Sequence, residues 1–281
     1  MTIIQDTYFD GERPLYGSND LVLRSVTIGE GESGLKECSH IEAYDCEIQG
    51  MYVLWECEDV ECCNCHFASS DRAPLWYGKN IRMRDCCIDA PKVFRELDGL
   101  VFENLQITDG AESFWYCKNG QLTNLTMERA EYAFMQSSYL HIDNLTLQGK
   151  YTFQYARNIE IHHAVLDTKD AFWNSEDCTI YDSEVKGEYL GWYAKNLRLV
   201  RCRISGTQPL CYCENLIIED CIFEPNADLA FEHSSVQATI LSTVTSIVNP
   251  KSGTIRCHGI GELIHDANAK APDDCVVRPL R

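Results

Sequence analysis

The sequence predicts an all-β protein, a parallel β-helix of about eleven coils with three short strands in each coil. Nearly the same six letters, LWYGKN, FWYCKN and GWYAKN, occur at residues 75–80, 114–119 and 191–196. The intervals between their tryptophans, 39 and 77 residues, are close to two and four multiples of a period between 19 and 20. Apolar residues recur at that period and no segment shows helical periodicity, which indicates stacked coils.

The first strand of each coil alternates apolar and polar residues. A second apolar column, from Leu23 to Ile218, follows the first by two residues, and polar residues such as Glu42 and Arg82 lie between them. This period of two predicts a strand with one face in the core and one in water. The first column, in which ten of eleven members are apolar, consists of Leu21, Ile41, Val60, Ile81, Leu100, Gly120, Leu140, Ile159, Cys178, Leu197 and Leu216.

The second strand follows a polar corner position. Its most regular column runs from Ile28 through Ile48 and Phe67 to Phe223 and is apolar in every coil. The position between the two strands is occupied by Asn or Asp in most coils, including Asp45 and Asn64. These residues tolerate tight bends and bond neighbouring backbone, so we expect a ladder of side chains at this corner.

The third predicted strand carries an inward column and an outward column. The inward column is Leu35, Leu54, Leu75, Phe94, Phe114, Phe134, Phe153, Phe172, Gly191, Leu210 and Ala230. The outward column that follows it is Trp55, Trp76, Arg95, Trp115, Met135, Gln154, Trp173, Trp192, Cys211 and Phe231. No coil can bury its apolar face alone, but stacked coils can, and each buried Leu or Ile then contributes about 1.5–3 kcal/mol.

The ends of the chain depart from the repeat. We expect an N-terminal cap at residues 1–20, the β-helix at 21–264 and a C-terminal tail at 265–281. The N-terminal segment has no basic region followed by an apolar run, and no stretch of 18 apolar residues occurs, so we expect a cytoplasmic protein with no membrane partner. The net charge of −19 opposes nucleic acid as a partner. The oligomeric state stays open.

The sixteen cysteines are expected to be reduced. Cys62 and Cys65, followed by His66, have the spacing of a zinc knuckle. Both cysteines fall in apolar columns of the repeat, however, so we favour packing over metal binding. We therefore predict no metal and no cofactor.

The outward tryptophans predict an interaction surface, because soluble proteins rarely leave a contiguous aromatic patch exposed. An extended groove of rings and carboxylates suits a chain-like ligand, and we predict an oligosaccharide that contacts Trp115, Trp173 and Trp192. Arg95, Lys169 and Tyr189 are further candidates for substrate binding. The alternative is a non-catalytic scaffold whose aromatic ladder is covered by the tail or by a protein partner.

Carboxylates beside these rings make glycoside hydrolysis a hypothesis. A glycosidase needs two carboxyl groups about 5–5.5 Å apart for retention or 6.5–9.5 Å apart for inversion, and adjacent coils supply such distances. Asp170 with Glu188 and Glu112 with Glu131 are each one coil apart, and we favour the first pair as catalytic residues because Trp173 and Trp192 lie beside it. A lyase that used Arg95 as base is a weaker alternative.

Four segments carry a resemblance to a known family. They are DAPKVF at 89–94, AESFWYCKN at 111–119, KDAFWNSED at 169–177 and GEYLGWYAKN at 187–196. With the coil pattern, they resemble a family of bacterial proteins known as a domain of unknown function and often labelled as hydrolases, from about Phe9 to Ile264. The resemblance implies a single-domain, right-handed β-helix of the pectin lyase-like superfamily. It implies no catalytic residues.

Overall fold

The computed structural model describes residues 1–270 and 274–280. Within these ranges the regular secondary structure consists entirely of β-strands, which form a parallel β-solenoid of about fourteen turns. The chain divides into two compact units, residues 1–142 and 143–281. Among the residues described, no helical segment reaches the length and apolar character that crossing a membrane requires.

The first unit contains twelve complete strands in its described residues and the start of a thirteenth. The strands are β1 (Thr2–Gln5), β2 (Tyr8–Glu12), β3 (Asn19–Arg24), β4 (Thr27–Glu32), β5 (Ser39–Tyr44), β6 (Glu47–Ile48), β7 (Glu58–Cys63), β8 (His66–Phe67), β9 (Lys79–Arg84), β10 (Cys87–Ile88), β11 (Asp98–Ile107), β12 (Lys118–Met127) and β13 (Ser138–Lys150).

The strand register of the first unit confirms the predicted columns. Leu21 pairs with Ile41, Ile41 with Val60, and Val60 with Ile81, all in parallel. The second sheet face follows the same rule, since Ile48 pairs with Phe67 and Phe67 with Ile88. Residues about 20 apart therefore lie directly above one another.

Two ladders of Asn and Asp side chains hold the corners of the first unit. At the predicted corner, Asn64 Nδ2 donates to Asp45 Oδ1 at 2.6 Å, and both residues have φ near +55°. A second ladder, which the sequence analysis did not anticipate, joins Asn80 Nδ2 to Asp59 Oδ1 at 3.0 Å. Asn and Asp tolerate this left-handed conformation better than other residues with a Cβ, which explains their repetition at both corners.

The second unit contains the end of β13 and ten further strands in its described residues. They are β14 (Arg157–His162), β15 (Val165–Lys169), β16 (Thr179–Tyr181), β17 (Glu184–Lys186), β18 (Arg198–Val200), β19 (Arg203–Ser205), β20 (Leu216–Phe223), β21 (Ser235–Val248), β22 (Ser252–Ile264) and β23 (Cys275–Pro279).

The second unit repeats the same coil. Ile161 pairs with Ile180, and Ile180 with Leu199. Its second corner ladder continues, since Asn196 Nδ2 donates to Asp177 Oδ1 at 2.8 Å and Asn196 Oδ1 accepts from Asn215 Nδ2 at 3.1 Å.

The core of each unit contains stacked phenylalanines, as the inward column predicts. In the first unit the Phe114 and Phe134 rings are 4.5 Å apart and nearly parallel. In the second unit the Phe153 and Phe172 rings are 4.8 Å apart at 3°. All four side chains have no measurable exposure.

The third segment of each coil differs from the predicted strand. It consists of turns and single bridges such as Trp76 to Arg95, because inward residues such as Phe114 and Phe172 have φ near +59°. A left-handed residue in the middle of a segment interrupts an extended strand. The side chains do not alternate as in a strand: Ser113 and Phe114 are buried, Trp115 and Tyr116 face outward, and Cys117 is buried again.

The inward column shifts by one residue near its end. Phe231, at φ +69°, takes the place equivalent to Leu210 and packs 5.5 Å from the buried Phe223 ring. Our placement of Phe231 in the outward column was therefore wrong, and Cys211 of that column is also buried, whereas Ala230 is buried as predicted. The coil from Leu210 to Phe231 is longer than the average period, and a register shift interrupts the pairing of β20 with β21 nearby.

The prediction of eleven coils was too low, because both ends continue the stack. Residues 1–20 include β1 and β2, which pair in parallel with β3 and β4. β23 lies within residues 265–281 and pairs in parallel with β22. These segments form further turns of the solenoid.

Candidate functional site

The outward tryptophans of the first unit form a closed stack. The rings of Trp55 and Trp76 are 4.9 Å apart and 7° from parallel. The guanidinium of Arg95 lies 4.1 Å from the Trp76 ring centroid and 4.5 Å from that of Trp115. The faces that these groups turn toward one another are therefore occupied by neighbours of the same stack.

Each indole N–H is bound to the backbone of the next coil. Trp76 Nε1 donates to the Lys92 carbonyl at 2.6 Å, and Trp115 Nε1 donates to that of Tyr132 at 2.7 Å. In the second unit, Trp192 Nε1 donates to the Gln208 carbonyl at 2.8 Å. These bonds fix the orientation of each ring relative to the adjacent coil.

Glu112 of the first unit is paired with two cations. Its carboxylate accepts hydrogen bonds from Lys92 Nζ at 2.9 and 3.0 Å and lies 3.7 Å from a guanidinium nitrogen of Arg95. Its backbone N–H donates to the Glu131 carbonyl at 2.8 Å, so the predicted pair does lie on adjacent coils. The two cations make Glu112 an ion-pair partner rather than an unoccupied acid.

The predicted pair Asp170 and Glu188 lies beside an aromatic group of the second unit. The rings of Trp173 and Trp192 are stacked 5.6 Å apart at 7°. Tyr189 meets Trp192 edge-on at 5.3 Å. Lys169 Nζ lies 2.9 Å from Glu188 Oε2 and 5.0 Å from the Tyr189 ring centroid. The five predicted residues of this group are thus contiguous.

Gly187 allows the coil to place Glu188 in this position. Its φ is +137°, and a Cβ at this position would lie 2.3 Å from the Thr168 carbonyl oxygen. No side chain fits at this approach of two backbones. Glycine therefore permits the close packing of adjacent coils that brings Glu188 to Lys169.

Asp170 differs from the other candidate acids in its burial. It is 4% exposed, and its backbone N–H donates to the Glu188 carbonyl at 2.9 Å. Burial raises the pKa of Asp170, the positive charge of Lys169 lowers it, and the negative charge of Glu188 raises it again, with a net upward shift. Asp170 and Glu188 therefore have different environments although they are neighbours.

Sequence reasoning missed the tyrosine that directly follows the tryptophan position. Tyr77, Tyr116, Tyr155 and Tyr193 are spaced by 39, 39 and 38 residues, which is two coils. Their exposures lie between 41% and 49%. The signal was present in the repeated WY pairs, but from those pairs we assigned only the tryptophans to the binding surface.

The tyrosine column of the second unit contains one position with a smaller side chain between two tyrosines. The Tyr193 ring stacks on the Tyr212 ring at 5.0 Å and 17°, so its opposite face points toward the preceding coil. That coil places the exposed Asn174 at the equivalent position, and the coil before it places Tyr155 there. Two large rings therefore flank one shorter amide side chain.

The two cysteines that have the spacing of a zinc knuckle lie inside the first unit. Cys62 and Cys65 are 1% and 2% exposed, and Cys65 Sγ donates to the carbonyls of Ala43 and Cys63. His66 points outward on the next strand. These residues do not form one site, because alternation along the strand sends them to opposite faces.

His66 instead belongs to a polar cluster on the outer surface. Its Nδ1 lies 2.9 Å from Glu47 Oε2, and its Nε2 lies 3.0 Å from Asp89 Oδ2. Burial lowers the pKa of His66, but the hydrogen bonds and charges of Asp89 and Glu47 outweigh that effect and raise it. Cys87 lies at the same cluster, and its Sγ, a ring nitrogen of His66 and an oxygen of Asp89 lie within 4.8 Å of one another.

Comparison of the sequence with family models decides its family. The model described as "Protein of unknown function (DUF3737)" matches residues 2–278. The chain belongs to the DUF3737 family. No curated protein matches this DUF3737 sequence.

Three solved structures resemble the DUF3737 chain. One is the A-module of the mannuronan C-5 epimerase AlgE4 from Azotobacter vinelandii, with 12% identity, a TM-score of 0.46, and coverage of 85% of this chain and 91% of that chain. QnrB1, a plasmid-mediated fluoroquinolone resistance protein, has 11% identity, a TM-score of 0.26, and coverage of 73% and 84%. HetL, a pentapeptide repeat protein from the cyanobacterium Nostoc, has 10% identity, a TM-score of 0.25, and coverage of 78% and 80%.

Proposed function

We propose that this protein binds carbohydrate on a face of its second unit, formed by Tyr155, Asn174, Tyr189, Trp192 and Tyr193. The observation that carries the proposal is the position of the Tyr193 ring, which is 48% exposed and stacked on one side only by Tyr212. Exposed aromatic faces are the groups on which the apolar face of a sugar ring packs. We call this surface the tyrosine face.

The spacing of the tyrosine face suits one flat ring. Adjacent coils are separated by about 4.8 Å, so Tyr155 and Tyr193, two coils apart, are separated by about 10 Å. Carbon atoms in contact lie about 3.5–4.0 Å apart, which leaves room for a sugar ring between the two aromatic rings. Asn174 is the exposed residue of the coil between them, and its amide offers two donors and an acceptor to sugar hydroxyls.

Charged groups border the tyrosine face. Glu188 and Lys169 form an ion pair at 2.9 Å beside Tyr189, and Lys195 and Glu214 lie 3.7 Å apart on the following coils. Carboxylates accept hydrogen bonds from hydroxyl groups and ammonium groups donate to them. A ligand with many hydroxyl groups and an apolar ring face matches both halves of this surface.

Asp170 and Glu188 are the acids on which we base a hydrolytic hypothesis. Burial raises the pKa of Asp170, which favours the protonated form that a general acid needs. Glu188 lies one coil away, and a backbone spacing of about 4.8 Å between coils is compatible with the carboxyl separation of about 5–5.5 Å that retaining glycosidases need. A protonated carboxyl group beside an ion-paired carboxylate is the division of roles that such enzymes use.

A glycan-binding panel tests the proposal. We expect binding by the unaltered protein, and at least a tenfold weaker affinity for Tyr193→Ala and for Tyr155→Ala. Tyr139→Ala is the matched control, because Tyr139 is 61% exposed but lies outside the tyrosine face. Absence of binding to every glycan, or equal losses in the control, would overturn the proposal.

A specific observation in the first unit favours a second candidate, a docking surface for a protein partner. The tryptophan faces that point along the stack are covered by each other and by Arg95, and two cations pair with Glu112. Tyr77 and Tyr116 are exposed and flank the exposed Glu96 one coil from each. Two rings around a carboxylate suit a cationic side chain of a partner.

Substitutions in the two units distinguish the carbohydrate-binding proposal from the protein-docking proposal. If the partner hypothesis holds, Glu96→Gln weakens capture of a protein partner while Tyr193→Ala leaves it unchanged. Glycan binding shows the reverse dependence. Partner capture that is insensitive to Glu96→Gln would contradict the second candidate.

A further inference from the structure

We propose that His66, Cys87 and Asp89 form a binding site for a divalent transition-metal ion, with Zn²⁺ as the best match. The three side chains bring an imidazole nitrogen, a thiol sulfur and a carboxylate oxygen within 4.8 Å of one another. All three residues are half-buried. The site lies in the first unit and is independent of the tyrosine face.

The coil geometry accounts for the convergence of these residues. His66 on β8 pairs directly with Cys87 on β10, so their side chains are neighbours on the outer face at the sheet spacing of about 4.8 Å. Asp89 follows Cys87 by two residues, and alternation returns its side chain to the same face. Two adjacent coils thus supply all three donors.

Further residues orient the donors as in known metal sites. Glu47 Oε2 lies 2.9 Å from His66 Nδ1, so the Glu47 carboxylate accepts a hydrogen bond from that nitrogen and leaves Nε2 for the metal. Thr108 Oγ1 donates to Asp89 Oδ1, while Asp89 Oδ2 faces His66 Nε2 at 3.0 Å. A carboxylate that holds the second nitrogen of a ligating histidine is a recurring feature of metal sites.

The donor set favours zinc over harder ions. Nitrogen, sulfur and a single carboxylate oxygen suit Zn²⁺, whereas Ca²⁺ and Mg²⁺ prefer oxygen ligands. A thiolate, a carboxylate and a neutral imidazole balance the charge of a divalent ion. Binding displaces the thiol proton of Cys87 and the proton that Nε2 shares with Asp89. Three protein ligands leave the fourth tetrahedral position for water.

Cys87 is distinguished from the other thiols by its position. Fourteen of the sixteen cysteines, all of which lie in the described residues, are buried, and only Cys63 and Cys87 are half-buried. Cys63 Sγ accepts a hydrogen bond from Arg84 at 3.4 Å, and a cation at this distance opposes a metal ion. Cys63 is therefore a matched control for Cys87.

Metal titration tests the site directly. The full chain is stripped with a chelator, kept reduced, and titrated with Zn²⁺ by calorimetry and with Co²⁺ by absorption spectroscopy. We expect one equivalent of Zn²⁺ and a thiolate-to-cobalt charge-transfer band. His66→Gln, Cys87→Ser and Asp89→Asn each weaken Zn²⁺ binding at least tenfold, and Glu47→Gln weakens it about 10–100-fold.

The control separates this site from binding at other thiols. Cys63→Ser keeps the stoichiometry and the cobalt band, whereas Cys87→Ser loses the band. Zn²⁺ raises the melting temperature of the unaltered protein and leaves that of Cys87→Ser unchanged, while the two metal-free proteins melt within a few degrees of each other. No bound Zn²⁺, or a cobalt band that persists in Cys87→Ser, overturns the proposal.

Discussion

The Arg95 guanidinium lies 4.1 Å from the Trp76 ring centroid, in the column where other coils place tryptophan. A second tryptophan, Trp115, lies 4.5 Å from the same guanidinium. The planar cation therefore acts as one more layer of the aromatic stack. The guanidinium of Arg95, which we predicted to bind substrate, instead contacts a tryptophan ring on each side.

We expect Arg95→Ala to destabilise the first unit by about 1–3 kcal/mol. The substitution removes two cation–π contacts, each contributing about 0.5–2 kcal/mol, and opens a gap between the two rings. Thermal unfolding monitored by tryptophan fluorescence measures the loss. Arg82→Ala is the control, since Arg82 lies exposed on β9 and its loss should cost less than about 0.5 kcal/mol. Equal losses in both variants would disprove the role of the stack.

We expect Asp71→Ala to stabilise the protein by about 1–3 kcal/mol at neutral pH. Asp71 is 1% exposed, and neither carboxylate oxygen has a hydrogen-bond partner within the described residues. Neighbouring coils place the small residues Gly50 and Ala90 at this position, so alanine fits without a cavity. An unpaired buried polar group costs about 1–3 kcal/mol, and that cost disappears. A lower unfolding midpoint in urea would contradict this prediction.

The stability difference between Asp71→Ala and the unaltered protein should grow as pH rises from about 4. Burial raises the pKa of Asp71 well above its usual value, so the folded state holds a proton that the unfolded chain releases above its ordinary pKa of about 3.9. The folded state then binds more protons, and stability falls with rising pH until the folded pKa is reached. Urea unfolding of both proteins at pH 4 and at pH 7 measures the change. A constant difference would contradict the burial argument.

Substitutions of Asn196 separate two contributions of the corner ladder to stability, its side-chain hydrogen bonds and its tolerance of a left-handed backbone conformation. Asn196→Ala removes two side-chain hydrogen bonds, each contributing about 0.5–1.5 kcal/mol, and places alanine at φ +52°, which costs roughly 1–2 kcal/mol more. Asn196→Gly removes the same bonds without the conformational cost. We therefore expect a larger loss of unfolding free energy for alanine than for glycine. The reverse order would show that the left-handed conformation is not the reason for asparagine here.

If hydrolysis occurs on the tyrosine face, Asp170→Asn and Glu188→Gln abolish turnover without lowering the melting temperature by more than a few degrees. Lys169→Met supplies a sharper readout. The charge of Lys169 lowers the pKa of Asp170, so its removal raises that pKa and moves the alkaline limb of the rate profile to higher pH. An unmoved alkaline limb would exclude Asp170 as the general acid.

Much of the coil could be predicted because the contacts are as periodic as the sequence. Leu21, Ile41 and Val60 recur at the coil period and pair with one another. In a solenoid each coil contacts its neighbours in the same way, so spacing along the chain is also spacing in space. Prediction failed where that spacing changed, as at Phe231, and at the chain ends, where the repeat is weak but pairing continues.

The candidate site could be predicted only in part. The contiguity of Lys169, Tyr189 and Trp192 followed from the columns, but the occupied faces of the tryptophans did not. Indole N–H bonds to backbone carbonyls, such as that from Trp192 to Gln208, determine how each ring lies on the surface. Outward position alone does not specify this rotation.

The sequence by itself determined the coil, its inward columns and its Asn and Asp corner, because burial and backbone conformation select residue types at every turn. Only the tertiary structure decided which outward side chains meet and how they are oriented. His66 and Asp89 are 23 residues apart, and no feature of either segment predicts the 3.0 Å contact between His66 Nε2 and Asp89 Oδ2. An outward side chain can adopt several rotamers, and its contacts with side chains on adjacent coils determine which rotamer it adopts.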